Sequence, residues 1–256
     1  MTHGRLPGFR VLSVATLVFL YGPIAVLIVF SFNAAKVAVS WEGFTLQWYA
    51  SLASNSTLWT ATHNSLVVGI TSTLGALLLG LVAAVCLEQR TFRGKGLVDG
   101  MIMLPLIIPE IMMGVSLMLF FVTVQWPLGL STVIIAHMLF NIPLVTLIVR
   151  ARLRKLDPAL EEAAQDLGAT PWQVFRRITF PQLQPALWGA ALMSFTVSLD
   201  DFVVTFFTAG PGSTTLPLKV FSMMRTGVTP EINALSALLV MVSMCLIGIS
   251  LLVQRK

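Results

Sequence analysis

Charged side chains make up only 11% of these 256 residues, while 56% are apolar. A soluble domain carries about 25% charged residues. A soluble enzyme of this size is therefore excluded, and so is a disordered or collagen-like chain. Cysteine is nearly absent. Cys86 and Cys245 both sit inside apolar runs, which leaves no disulfide framework and no zinc cluster. A G-x-x-x-x-G-K-[ST] phosphate loop is also missing, because Gly94-Lys95-Gly96 and Gly210-Pro211-Gly212 lack its spacing. Neither H-E-x-x-H nor G-x-S-x-G occurs, and no metal-ligand spacing links His3, His63 and His137. The expectation is a membrane protein that is not an enzyme and holds no metal.

What the chain does have is long apolar runs. Six stretches, near 11–32, 64–87, 97–124, 131–149, 186–208 and 232–253, approach or exceed the roughly 20 helical residues that cross a bilayer core. Their continuity indicates helices, since a barrel would show segments of about ten alternating residues. Of the 16 Lys and Arg, 13 fall in the N-terminal tail, the second and fourth gaps and the C-terminus. The alternate gaps hold only Lys36, Lys219 and Arg225. That split predicts six transmembrane helices with both termini cytoplasmic. The net charge of +5 then reflects topology, and no nucleic-acid partner is expected. The first run of 22 residues is longer than a signal h-region of about 7–15, and reads as an uncleaved span.

Between the fourth and fifth runs lies a polar segment, LDPALEEAAQDLGATPWQVFRRITFPQLQP, at 156–185. Asp157 and Pro158 read as an N-cap and first-turn proline, with Glu161 and Glu162 near the positive end of the helix dipole. Gly168 is expected to end that helix in the left-handed region. Thr170 and Gln173 have capping-box spacing for a second helix, which Pro181 and Pro185 are expected to stop before the fifth span. Leu160, Ala163, Ala164 and Leu167 form an apolar stripe. Taken alone, this hairpin fits either a loop resting on lipid headgroups or a docking surface.

Three acids lie deep inside the apolar runs: Glu110, Asp200 and Asp201. Intramembrane charge is costly and points to function. At 1.5 Å per residue, Glu110 and Asp200 lie roughly 20 and 22 Å from the cytoplasmic ends of their spans, at similar depth. No Lys or Arg shares a span, so the acids have no evident internal partner. They would suit a path for a multiply charged cation. Asp200 and Asp201 are about 100° apart on a helix, so only one of them is expected to face the path. Glu110, following Pro109, also fits a helix cap. Pro105 and Pro109 predict a kink beside it, freeing the carbonyls of Met101 and Pro105. His137 fits two roles, a packed histidine or a neighbour of the acids, and packing is the expectation. Phe202, Phe206 and Phe207 are read as packing, with cation–π contact to an alkylammonium chain as the alternative.

Glu162-Ala163-Ala164, Gly168, Ile178 and Pro181 stand at the spacing of the EAA signature of ABC importer permeases, which the hairpin resembles. Phe180 stands where that signature usually has Leu. Ser31-Phe32-Asn33, LPLIIPEIMMG at 104–114, SLDDFVVTFFTAGPGSTTLPLKVFS at 198–222 and PEINALSAL at 230–238 are similar to the second permease subunit of spermidine/putrescine importers. The resemblance implies an all-α type I ABC importer permease, with 1–63 as first helix and outer loop. Residues 64–253 would be the five-helix core, with the coupling hairpin at 156–185. It further implies that Glu162, Ala163, Ala164, Gly168 and Pro181 serve coupling to an ATPase, and that Glu110, Asp200 and Asp201 line a polyamine path. Expected partners are a homologous permease, two ATP-binding subunits that hold ATP and magnesium, a periplasmic polyamine-binding protein and the bilayer. No cofactor is expected in this chain itself. The rivals are the same architecture carrying iron, thiamine or an amino acid, a secondary transporter, and an intramembrane enzyme using His137 with Glu110 or Asp200.

Overall fold

The computed structural model describes residues 7–35, 40–227 and 229–254. Arg5, His3, Lys36, Arg255 and Lys256, used in the charge and histidine arguments, lie outside the described residues. Long helices dominate, and the described residues contain a single isolated β-bridge, between Asn33 and Phe44. In chain order the helices are α1 (Pro7–Phe30), α2 (Gln47–Ser54), α3 (Ser56–Gln89), α4 (Lys95–Met103), α5 (Glu110–Thr123) and α6 (Leu130–Leu153). Then follow α7 (Pro158–Asp166), α8 (Pro171–Val174), α9 (Phe180–Asp200), α10 (Val203–Thr208), α11 (Leu216–Thr226) and α12 (Pro230–Gln254).

Three of these are each long and apolar enough to cross a membrane: Val11–Phe30, Ser56–Gln89 and Leu130–Leu153. A fourth candidate is broken rather than kinked. Lys95–Leu106 and Glu110–Thr123 meet at 106°, because Pro105 and Pro109 sit four apart and the second sets an extended backbone just before Glu110. The expected fifth span is likewise interrupted, α9 ending at Asp200 and α10 starting at Val203. The outer segment 33–63 is more helical than expected. It holds α2, and α3 begins at Ser56, so His63 is a helix residue and not a loop one.

The chain forms two compact units. The smaller draws on Met1–Leu58 and Val220–Lys256. In it α12 packs on α1 and α2. Its outer loop is knotted at Ser31-Phe32-Asn33. The Asn33 side chain donates to the Ser40 carbonyl and accepts from the Glu42 N–H, while Trp48 Nε1 donates to the Asn33 carbonyl at 2.8 Å. Ser31 Oγ and Tyr49 Oη are 2.7 Å apart, and Phe32 stacks on Phe44.

The larger unit spans Trp59–Lys219, with its core where α6 meets α9 and α3. Ala76, Ala84, Val145, Val149, Leu153, Leu183 and Ala190 are buried there. Helices come this close because the contact points are small. A Cβ added at Gly80 would stand 2.7 Å from the Val145 side chain and 3.1 Å from the Ile142 carbonyl. Small residues at helix crossings replace the hydrophobic drive that lipid does not supply. The segment 209–216 is tied to α3, with Asn64 donating to the Gly212 and Thr214 carbonyls and the Leu216 N–H donating to Ser65.

Candidate functional site: an acid-lined cavity and a docking hairpin

The two broken spans meet in the larger unit, where α10 packs against α5 and α6. A cavity of about 440 Å³ opens between the breaks, lined among others by Glu110, Asp200, Asp201 and Phe202. All three acids singled out from sequence thus share one cavity. Glu110 is the first residue of α5 and lines the cavity, but no side-chain cap bond forms at that helix start, so the cap reading of it does not hold. Glu110 and Asp200 are exposed within the unit.

Two expectations need correction. Asp200 and Asp201 both reach the cavity, because the helix ends between them. Asp201 is extended at φ −66°, ψ 122°, so the 100° helical offset does not apply. Nor is Asp201 unpartnered. Its Oδ2 lies 3.2 Å from Nε2 of His137 on α6, and it accepts from the Thr205 N–H and hydroxyl, each at 2.8 Å. Its Oδ1 accepts from the Val204 N–H at 3.3 Å, so Asp201 caps the start of α10. His137 is fully buried and is both packed and a neighbour of the acids. An Asp three residues ahead of Val204 in a new apolar turn was the available sequence signal for this cap.

The aromatics keep largely to packing. Phe202 and Phe206 pair at 5.6 Å, Phe207 meets Phe206 edge-on, and a Cβ on Gly114 of α5 would meet Phe207 at 2.8 Å.

At the other end of the unit the hairpin forms as its caps dictate. Asp157 accepts from the Ala159 N–H at 3.0 Å, and Thr170 and Gln173 complete a reciprocal capping box. Gly168, at φ +85°, closes α7 as a Schellman turn. Its N–H bonds the Gln165 carbonyl, and the Ala169 N–H bonds the Ala164 carbonyl. Glu162, Ala163, Leu160, Leu167 and Trp172 are exposed, Leu167 at 89%. Glu161 turns the other way, accepting from Thr179 Oγ1 at 2.5 Å.

Pro181 and Pro185 do not stop the second helix. The chain passes from α8 through a widened π turn, Phe175–Thr179, into α9, which starts before both prolines. The Phe180 N–H reaches the Phe175 carbonyl five residues back. This wider spacing takes up the carbonyl mismatch and bulk that a proline brings. Pro181 sits in the first turn of α9, where no N–H is required of it.

One cluster escaped the sequence reading. Asp99, a further acid at the start of the third apolar run, accepts from Arg150 Nη1 at 2.6 Å. Arg150 Nε also donates to Glu88 at 3.1 Å, and Arg154 Nε to Glu88 at 2.7 Å. This network joins α3, α4 and α6 beside the hairpin.

A family model described as "Binding-protein-dependent transport system inner membrane component" matches residues 76–255. The chain belongs to this family. Among its relatives is the spermidine/putrescine transport system permease protein PotC of Escherichia coli strain K12. It is 39% identical over 237 residues, covering 93% of this chain and 90% of that protein. The putrescine transport system permease protein PotI of the same strain is 41% identical over 242 residues, covering 92% and 86%. A crystal structure of a bacterial ABC transporter importing the acidic polysaccharide alginate contains a chain that aligns at a TM-score of 0.71 and 16% identity. The alignment covers 100% of this chain and 99% of that one. At that identity the likeness speaks to fold alone.

As a member of this inner membrane component family, the chain has the all-α type I ABC importer permease fold and is a multi-pass protein of the bacterial inner membrane. It is a permease and not an enzyme; a separate subunit hydrolyses ATP. Permeases of this family work with a periplasmic binding protein and an ATPase subunit.

Proposed function

We propose that this chain is one of two homologous permease subunits of an ATP-driven importer for polyamines, spermidine or putrescine. It crosses the membrane six times with both termini cytoplasmic, α4 with α5 and α9 with α10 each forming one interrupted crossing. Two ATPase subunits, which hold the ATP and magnesium, dock on Glu162, Ala163 and Ala164, with Gly168 and Pro181 shaping the hairpin. A periplasmic polyamine-binding protein delivers the cargo. Glu110 and Asp200 face the path.

The observation that carries the polycation reading is the convergence of acids from two broken spans on one cavity. Backbone that leaves the helix at membrane depth is tolerated where it lines a wet or protein-walled space. Acids there lower the cost of a cation that has left bulk water. The identities to PotC and PotI support the same cargo. Iron, thiamine or amino-acid transport by the same architecture is the reading the test sets against it.

The test is radiolabelled spermidine and putrescine uptake in a strain lacking this subunit, with and without the gene restored. Restored uptake that unlabelled polyamines compete and that requires an intact ATPase gene is expected. Uptake independent of the ATPase, or competed only by another solute, would overturn the reading.

A further inference from the structure

We propose that His137 is a positioning residue that withdraws Asp201 from the cation path, leaving Glu110 and Asp200 to meet the cargo. The inference rests on the cavity being part of the path. An ionised carboxylate only accepts hydrogen bonds, and Asp201 receives three donors, the Val204 and Thr205 N–H groups and the Thr205 hydroxyl, while His137 Nε2 stands 3.2 Å from its Oδ2. Its side chain is only 7% exposed.

The direction of each bond follows. The Thr205 hydroxyl gives its single proton to Asp201, so toward His137 Nε2, 2.9 Å away, it can only accept. Nε2 therefore carries a hydrogen. In neutral His137 Nδ1 is then an acceptor, taking the Ser198 hydroxyl proton at 2.6 Å. With its proton spent on His137, Ser198 Oγ is left to accept from Ser72 Oγ on α3, 3.2 Å away, a hydroxyl that also has the Gly69 carbonyl at 3.4 Å. A row of donors thus runs from α3 through α9 and α6 and ends on Asp201. The order acid, imidazole, hydroxyl is that of a hydrolase triad, but Ser198 is buried and already bonded on both sides. The arrangement holds a carboxylate in place. No hydrogen bond or ion pair reaches Glu110 or Asp200 among the described residues, so a cation meets these two without breaking an internal bond.

The test compares uptake of putrescine, a dication, and spermidine, a trication, by the assembled transporter. His137→Gln keeps a donor for Thr205 and an acceptor for Ser198, and should leave the Vmax/KM ratio of the two cargoes at the wild-type value. His137→Leu strips Asp201 of this neighbour and removes the bond that aims the Thr205 hydroxyl at it. It should raise the spermidine-to-putrescine ratio about tenfold, equivalent to roughly 1.4 kcal/mol. Adding Asp201→Asn to it should return the ratio to wild type. Equal losses for both cargoes in His137→Leu and His137→Gln would mean that His137 only packs, and would overturn the proposal. Should His137→Leu fail to insert, Asp201→Asn alone decides. Unchanged KM for both cargoes supports the proposal, and a rise matching that of Glu110→Gln overturns it. If Glu110→Gln and Asp200→Asn both leave KM unchanged, the path reading itself fails, and this inference with it.

Discussion

The hydroxyl of Thr179 donates to Oε1 of Glu161 at 2.5 Å, tying helix α7 to the turn that leads into α9. Gln89 Nε2, at the end of α3, reaches the same oxygen at 3.5 Å. Of two adjacent glutamates, Glu162 faces outward and Glu161 faces the bundle. A push on α7 thus has a direct polar link to the helix that ends at Asp200.

Glu161→Ala removes that link while leaving the outward face intact. Loss of a charge-assisted bond of about 1.5–3 kcal/mol should lower the cargo moved per ATP by about tenfold or more. Paired uptake and hydrolysis measurements in proteoliposomes check this; an unchanged ratio would show that force travels elsewhere.

Glu162→Lys reverses charge on the exposed face of α7 without touching a buried contact. The protein should still insert, while co-purification of the ATPase and uptake both fall sharply. Pull-down with a tagged ATPase subunit reads the first, and normal recovery would exclude docking at this face.

Glu110→Gln and Asp200→Asn each remove one unpaired charge from the cavity. KM for polyamine uptake should rise about tenfold for each, with the amount of protein in the membrane unchanged, if each charge contributes roughly 1.4 kcal/mol. Initial-rate kinetics in whole cells measure it.

Arg150→Ala strips Asp99 of its partner and leaves Glu88 with Arg154 alone. Side-chain exposures of 13–33% in this group place it between a buried and a surface network. A loss of about 1–3 kcal/mol is expected, read as a lower melting temperature in detergent. High salt should narrow the gap between wild type and variant.

Gly80→Val would force a branched side chain onto Val145 and the Ile142 carbonyl. Overpacking of this type costs about 1–3 kcal/mol. Reduced membrane levels and thermal stability are expected, with Gly80→Ala milder.

Much of this was legible in the chain because local rules decided it. Asp157, Gly168, Thr170 and Gln173 each act on backbone groups within a few residues, and all formed the predicted caps. Glu110 and Asp200 could be placed at one depth by rise alone, and they share a cavity. What escaped depends on partners distant in sequence or on backbone that leaves the regular helix. Asp201 finds His137, 64 positions away, only once α6 and α9 pack. By sequence Arg150 is one more charge in the fourth gap, although its guanidinium is bonded to two acids. Pro181 is a helix stop by propensity, but a widened turn absorbs it.

That widened turn has a consequence for the wiring of the whole molecule. A π turn holds one residue more than the α turn it replaces, while each regular helical residue advances the winding by about 100°. Deleting a single residue within 175–179 would let the turn close to ordinary α geometry and leave the azimuth of everything downstream nearly unchanged. Deleting one in the regular part of α9 would swing it by that amount, and Asp200 would then point toward lipid or a neighbouring helix. The bulge thus tolerates a length change that the rest of the link between hairpin and cavity does not, and a single-residue deletion inside α9 should silence transport in a protein that still folds.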